Sequence, residues 1–142
     1  MTKKIFSIIL SLILVATCLS AQASAAVVDT GNSEIAPAYS YTISASSTLS
    51  INSSKTATCK SVVAGMSGIA TKIVFTQRLQ KKVNGTWTNV KTWTGTYERV
   101  SASFTNTKTS LASGTYRVRT IAKVYSGSAY ETVTTNSTTV TC

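Results

Sequence analysis

The sequence contains no histidine and few acidic residues. Its 142 residues include four Asp or Glu against fourteen Lys or Arg. Without imidazole, Ser-His and Cys-His nucleophile pairs and histidine zinc sites are excluded. Outside the irregular segment that precedes residue 39, the acids are Glu98 and Glu131, and we interpret them as exposed strand residues that balance neighbouring basic side chains rather than as a glycosidase pair. We therefore expect a protein that is not an enzyme.

The N-terminus has the pattern of a secretory signal peptide. Two lysines precede an apolar run over residues 5–19, and small residues follow up to Ala26. The run is shorter than the roughly 20 residues that a spanning helix needs, although an uncleaved anchor is the alternative. We expect cleavage after Ala25 or Ala26, which removes residues 1–25 and leaves a mature chain without a transmembrane segment.

Cysteine is scarce as well, with three residues in the whole chain. Cys18 leaves with the signal peptide, so the mature chain keeps Cys59 and Cys142, an even pair in an exported protein. We predict a disulfide between them, with two free thiols or an intermolecular bridge through Cys142 as alternatives. Two thiols without further soft ligands do not form a metal site, and no glycine-rich phosphate loop follows a strand, so we expect no cofactor.

The chain has one proline and no apolar residues at helical spacing over three turns, whereas Ser and Thr are abundant. Threonine suits a half-exposed pleated surface, and both residue types compete against helix formation. The composition therefore predicts strands. After a flexible lead-in over residues 26–38, one domain is expected over residues 39–142.

Alternating apolar residues predict about seven strands in that domain. The expected inward positions are Tyr39, Tyr41, Ile43, Ala45, Leu49, Ile51, Ala57, Cys59, Val63, Ile69, Ile73, Phe75, Leu79, Val100, Ala102, Phe104, Tyr116, Val118, Ala122, Val124, Val133, Val140 and Cys142. Asn84-Gly85 predicts a hairpin turn, because both central residues of a type I′ turn need a positive φ. Trp87 and Trp93 share a parity that Val90 does not, so either a bulge intervenes or one of these side chains is exposed. Short strands at this spacing predict an antiparallel β-sandwich.

One segment carries a resemblance to a known fold. The pattern Leu111-x-x-Gly114-x-Tyr116-x-Val118 resembles the corner and sixth strand of immunoglobulin-like domains. The resemblance implies a single Ig-like β-sandwich in which the hydroxyl of Tyr116 hydrogen-bonds to the backbone of the preceding corner. Val118 stands where antibody-type domains have a cysteine, so the resemblance does not extend to their inter-sheet disulfide.

The mature chain is also similar to small secreted proteins of Gram-positive, Clostridia-like bacteria. The segments that carry this similarity are residues 79–87, 91–93 and 114–118. It implies a secreted protein with a sandwich fold and does not imply an activity.

Basic residues follow the outward parity of two predicted strands. They are Lys72, Arg78 and Lys82 on the third strand and Arg117, Arg119 and Lys123 on the sixth. These strands are neighbours in an Ig-like sandwich, so we expect the six side chains to form one basic face that attracts an anionic cell-envelope polymer or polysaccharide. An anionic membrane surface is a further candidate partner, and nucleic acid is the least favoured. Basic residues kept for solubility are the alternative interpretation.

Three classes of function remain. The first is a secreted or cell-surface module that binds or adheres through the basic face. The second is a secreted toxin, bacteriocin or inhibitor. The third is a structural protein that assembles through exposed strand edges or Cys142. The sequence leaves the oligomeric state open.

Overall fold

The computed structural model describes residues 38–142, so the predicted signal peptide, Cys18 and the predicted lead-in up to residue 37 lie outside these residues. The described chain is all β. Its eight strands are β1 Thr42–Ile51, β2 Ala57–Gly65, β3 Lys72–Val83, β4 Thr86–Tyr97, β5 Ser101–Lys108, β6 Thr115–Ser126, β7 Ala129–Asn136 and β8 Val140–Thr141.

The strands form two antiparallel sheets, which confirms the predicted Ig-like β-sandwich. The smaller sheet has the order β1-β2-β5, and the larger has the order β4-β3-β6-β7, with β8 paired to the start of β6. In constant-type immunoglobulin domains the fourth strand pairs with the fifth, whereas here β4 pairs with β3. The larger sheet therefore has a broad outer surface.

The predicted last strand is divided into β7 and β8, so the count is eight rather than seven. Ser137 stands at the break, where its N–H donates to the carbonyl of Val118 at 2.9 Å and its Oγ accepts from the N–H of Val118 at 2.9 Å. The side chain thus replaces a ladder hydrogen bond, and β6 stays covered along this edge.

The hairpin between β3 and β4 has the predicted turn. Asn84 and Gly85 have φ values of 49° and 80°, as a type I′ turn requires. The register then shifts, because Leu79 pairs with Lys91 and Gln80 pairs with Asn89, which leaves Val90 as the extra residue of a bulge.

The bulge places the two tryptophans on opposite faces of the larger sheet. Trp93 pairs with Gln77, which points inward, and packs against both apolar clusters of the core. Trp87 pairs with Lys82 and lies on the outer face.

The core consists of two apolar clusters with a polar layer between them. One cluster surrounds Phe75 and Phe104, whose stacked rings are 5.5 Å apart, and the other surrounds Leu79 and Tyr116. On each of three strands a buried polar residue stands between a residue of one cluster and a residue of the other: Ser61 on β2, Gln77 on β3 and Thr120 on β6. Sequence analysis placed apolar residues at the flanking inward positions and did not single out these three.

Hydrogen bonds connect the polar layer from one side of the sandwich to the other. The contacts run from Asn106 Nδ2 to Gln77 Oε1 at 3.0 Å, from Gln77 Nε2 to Ser61 Oγ at 2.6 Å, between Ser61 Oγ and Thr120 Oγ1 at 2.6 Å, from Ser47 Oγ to Thr120 Oγ1 at 2.7 Å and between Ser47 Oγ and Thr135 Oγ1 at 2.6 Å. Successive members alternate between the two sheets. The layer therefore satisfies buried polar groups and joins the sheets.

The predicted corner before β6 has the geometry that the resemblance implied. Leu111 is buried, and the hydroxyl of Tyr116 donates to the carbonyl of Ala112 at 2.5 Å. A Cβ at Gly114 would lie 2.5 Å from Cε of Lys81, so glycine leaves room for the lysine stem.

Two predicted inward positions are exposed. Ile43 is 67 % exposed because a register shift between Thr42 and Ser44 turns Thr42 inward instead. Ile69 is 41 % exposed because it lies in the turn before β3, where strand alternation does not apply.

The predicted disulfide is not present, and Cys59 and Cys142 are both free thiols. Cys59 is buried on β2 in the smaller sheet. Cys142 is held beside Gly114 in the larger sheet by two backbone hydrogen bonds of 2.9 and 3.0 Å, and its Sγ lies 3.7 Å from the carbonyl oxygen of Ala112. Both side chains pack in the same apolar cluster without a bond between their sulfur atoms.

Candidate functional site: the basic outer face

The larger sheet brings together the six basic residues singled out from the sequence. β3 and β6 are antiparallel neighbours in that sheet, and along both strands the alternate residues that point inward are buried. The other residues point outward and include Lys72, Arg78, Lys82, Arg117, Arg119 and Lys123. We call this outer surface of β4, β3, β6 and β7 the basic face.

Three arginines are concentrated toward one end of the basic face. Arg78 and Arg119 are directly opposite each other in the β3–β6 register, and Arg117 lies opposite Gln80. All three side chains are half-buried rather than fully extended into solvent. We call these three residues the arginine cluster.

Arg117 is fixed by two kinds of contact. Its Nε donates to Gln80 Oε1 at 2.9 Å, and Gln80 Nε2 in turn donates to Asn89 Oδ1 at 2.9 Å. Its guanidinium carbon lies 4.3 Å from the ring centroid of Trp87, a cation–π distance. The hydrogen bond uses Nε alone, so the two terminal amino groups of Arg117 keep their donors for another partner.

The electrostatic environment of the arginine cluster favours a bound anion. Burial, and then the positive charge of Arg119, lower the pKa of Arg117 from its usual value. Nε of Arg119 is buried and has no hydrogen-bond partner among residues 38–142. An oxyanion next to the two guanidinium groups would reduce the repulsion between them and accept hydrogen bonds from their N–H groups.

No carboxylate neutralises the basic face within the described part of the chain. Glu98 lies in the connection between β4 and β5. Glu131 is on β7 but points to the other side, where its two carboxylate oxygens accept the N–H groups of Ser40 at 2.8 Å and Tyr41 at 2.9 Å. The positive charges of the face are therefore left to solvent or to a ligand.

The opposite end of the basic face combines lysine with tyrosine. Nζ of Lys72 lies 4.3 Å from the ring centroid of Tyr125, and Nζ of Lys123 lies 4.6 Å from that of Tyr130. The two tyrosine rings are 5.1 Å apart, and Tyr130 is 50 % exposed. We call these four residues the tyrosine–lysine cluster.

A neutral row separates the two clusters. Thr94, Thr76, Ile121 and Thr134 follow one another across β4, β3, β6 and β7. The row presents hydroxyl groups and one apolar side chain, without charge. The basic face therefore has two charged ends and an uncharged, hydroxyl-bearing middle.

Sequence analysis did not assign Trp87, Gln80, Asn89 or Tyr130 to this face. Gln80 could have been found from parity alone, because it is two residues from Arg78 and from Lys82 on the same strand. Tyr130 is assigned to the face by the β6–β7 register, which places it opposite Tyr125. Trp87 and Asn89 can be assigned to the basic face only when the bulge at Val90 is known.

No protein-family model matches the chain, and neither a curated protein nor a solved structure matches it. Within residues 38–142 no helix is long and apolar enough to cross a membrane. No group of three or more His, Cys, Asp or Glu side chains in these residues could hold a metal ion.

Proposed function

We propose that this protein is a secreted, non-catalytic binding module that attaches to an anionic cell-envelope polymer through its basic face. The observation that carries the proposal is the direct cross-strand pairing of Arg78 with Arg119. Like charges directly opposite each other on neighbouring strands destabilise a sheet, so the pairing works against folding. A bound anion would offset the repulsion between the two arginines, so anion binding accounts for a pair that folding stability does not.

Solubility alone accounts less well for this surface. A surface selected for solubility mixes charges of both signs, whereas the basic face carries one sign only. Half of its six basic residues are arginines, whose planar guanidinium matches carboxylate and phosphate groups better than an ammonium does. These features support binding, and the predicted signal peptide supports an extracellular or cell-surface location for it.

Assembly through strand edges is a weaker candidate. β4 is an edge strand of the larger sheet, but it is bulged at Val90 and carries Lys91 next to the bulge. Bulges and edge lysines oppose edge-to-edge pairing. β4, the longest edge strand of the two sheets, is therefore protected against edge-to-edge pairing.

The test is retention of the protein on isolated cell envelopes and on a panel of immobilised polyanions at low and high salt. The face variant carries glutamine at Lys72, Arg78, Arg117 and Arg119. The matched control also removes four basic charges, from the smaller sheet and the connections that flank it, with glutamine at Lys55, Lys60, Arg99 and Lys108.

Salt-sensitive retention that the face variant loses and the control keeps is the expected result. Equal loss of retention in both variants would show that retention depends on the net charge of the protein and not on the basic face. Negligible retention of the unchanged protein would overturn the proposal and direct the search to toxin and inhibitor assays.

A further inference from the structure

We infer that the polymer is a linear acidic polysaccharide, whose sugar carboxylates bind the arginine cluster while a sugar ring further along stacks on Tyr130. The inference rests on the proposed function and adds the chemical class of the ligand and its direction along the strands. It follows from three features of the basic face.

The first feature is the preparation of Arg117 for a planar oxyanion. Stacking on Trp87 and the hydrogen bond to Gln80 restrict the rotation of its guanidinium, and the fork of terminal amino groups remains available. A fork of this kind binds a carboxylate through two parallel hydrogen bonds. Arg78 and Arg119 are close enough in the register to contribute charge to the same group.

The second feature is the chemistry of the rest of the face. Hydroxyl and amide side chains surround both clusters: Thr76, Thr92, Thr94, Thr96, Thr132, Thr134, Asn89 and Asn136. Such groups donate to and accept from sugar hydroxyls. The exposed ring of Tyr130 offers an apolar surface with a polar rim, which suits the face of a pyranose.

The same chemistry disfavours the other polyanions. An anionic membrane would be matched by several protruding apolar side chains, but on β6 and β7 Tyr130 is the one large apolar residue that is exposed, and Ile121 and Tyr125 are half-buried. A single-stranded nucleic acid would need successive stacking platforms along its length, whereas the middle row is made of threonines and Ile121.

The third feature is the spacing of the clusters. Arg78 and Lys72 are six residues apart on β3, which at about 3.4 Å per residue is about 20 Å. A single sugar cannot touch both clusters, but an extended chain of several sugars laid along the strands can. Because the row between the clusters is neutral, the sugars that lie over it need not carry a charge.

The experiment measures affinity for five probes in the same buffer: polygalacturonate, fully methyl-esterified polygalacturonate, polyglutamate, polyphosphate and vesicles that contain anionic lipid. Esterification removes the carboxylate charges from the sugar chain, and polyglutamate keeps the carboxylates without sugars. Tightest binding to polygalacturonate is expected, with loss of about tenfold or more for the ester and for polyglutamate.

Three variants test the residues. Arg117→Lys keeps the charge and removes the fork, and Tyr130→Ala removes the stacking ring, so each should weaken polygalacturonate binding by about tenfold. Lys60→Gln on the smaller sheet is the control and should bind as the unchanged protein does. Unfolding midpoints of all three variants establish that they are folded.

The outcomes separate the inference from the proposed function. Binding of polyphosphate, polyglutamate or vesicles as tight as that of polygalacturonate, or an Arg117→Lys variant with full affinity, would overturn the polysaccharide assignment and leave the basic face as a general polyanion site. Absence of salt-sensitive binding to every probe would overturn both.

Discussion

Nε2 of Gln77 donates a hydrogen bond to Oγ of Ser61 at 2.6 Å, and this contact crosses from the larger sheet to the smaller one in the middle of the core. The same amide group also donates to the carbonyl of Phe104 at 3.2 Å, and its Oε1 accepts from Asn106. Gln77 is fully buried, so all of its hydrogen-bonding capacity has to be met inside the protein. It is the residue on which the polar layer depends most.

Gln77→Leu should destabilise the protein by about 1–3 kcal/mol, because it leaves buried partners of the amide unsatisfied while nearly conserving volume. Urea unfolding monitored by circular dichroism measures the change. Thr105→Val, on the exposed side of β5, is the control and should stay within about 0.5 kcal/mol of the unchanged protein. A Gln77→Leu variant as stable as that control would show that the polar layer does not stabilise the fold.

The polar layer marks where prediction from sequence reached its limit. Alternation of apolar residues located the strands, since Phe75 and Leu79 or Cys59 and Val63 do point inward as expected. Gln77 has the same parity, but a single strand does not reveal whether a partner faces it from the other sheet. That information appears only when β2, β3 and β6 are packed together.

The basic face shows the same division. The six basic residues were grouped by parity and by the expected adjacency of β3 and β6, and the structure places them on one surface. The contact between Arg117 and Trp87 was not predictable, because parity counted from Trp93 assigns Trp87 to the inner side. The bulge, one of the two alternatives that the sequence left open, is confirmed at Val90 and reverses that assignment. The sequence did not decide between them, because a bulge is defined by pairing between strands.

Tyr116→Phe should destabilise the protein by about 0.5–1.5 kcal/mol, because the carbonyl of Ala112 loses the hydroxyl that donates to it at 2.5 Å. Thermal and urea unfolding measure the loss. Tyr130→Phe is the matched control, since its side chain is half exposed and water replaces any contact of its hydroxyl. Equal effects of the two substitutions would mean that the corner hydrogen bond does not stabilise the sandwich.

Acid should weaken the attachment of the chain just before β1 to β7. Burial acts to raise the pKa of Glu131, but the hydrogen bonds that its carboxylate accepts, among them those from the backbone N–H groups of Ser40 and Tyr41, outweigh it and lower the pKa. A folded-state pKa below the unfolded value means that the carboxylate contributes stability above the unfolded pKa of about 4.3 and loses that contribution as the pH falls through the folded pKa.

Glu131→Gln should therefore be less stable than the unchanged protein near neutral pH and should approach it as the pH falls toward about 3. Unfolding midpoints at a series of pH values measure the two curves. Glu98→Gln, in the exposed connection after β4, is the control and should keep the pH dependence of the unchanged protein. Parallel curves for the unchanged protein and Glu131→Gln would show that the carboxylate does not hold this segment.

The two cysteines of the described chain should differ sharply in reactivity. Burial raises the pKa of Cys59 to about 12, and its side chain is not accessible, so it stays protonated and protected while the protein is folded. Cys142 is half-buried at the end of the chain. In a Cys18→Ser background, a thiol reagent should label one site quickly in the folded protein and the second only after denaturation, with Cys142→Ser removing the fast phase. A protein that labels at neither site until a reductant is added would instead contain a disulfide between the two cysteines. That bond would lie within the apolar cluster around Leu79 and Tyr116.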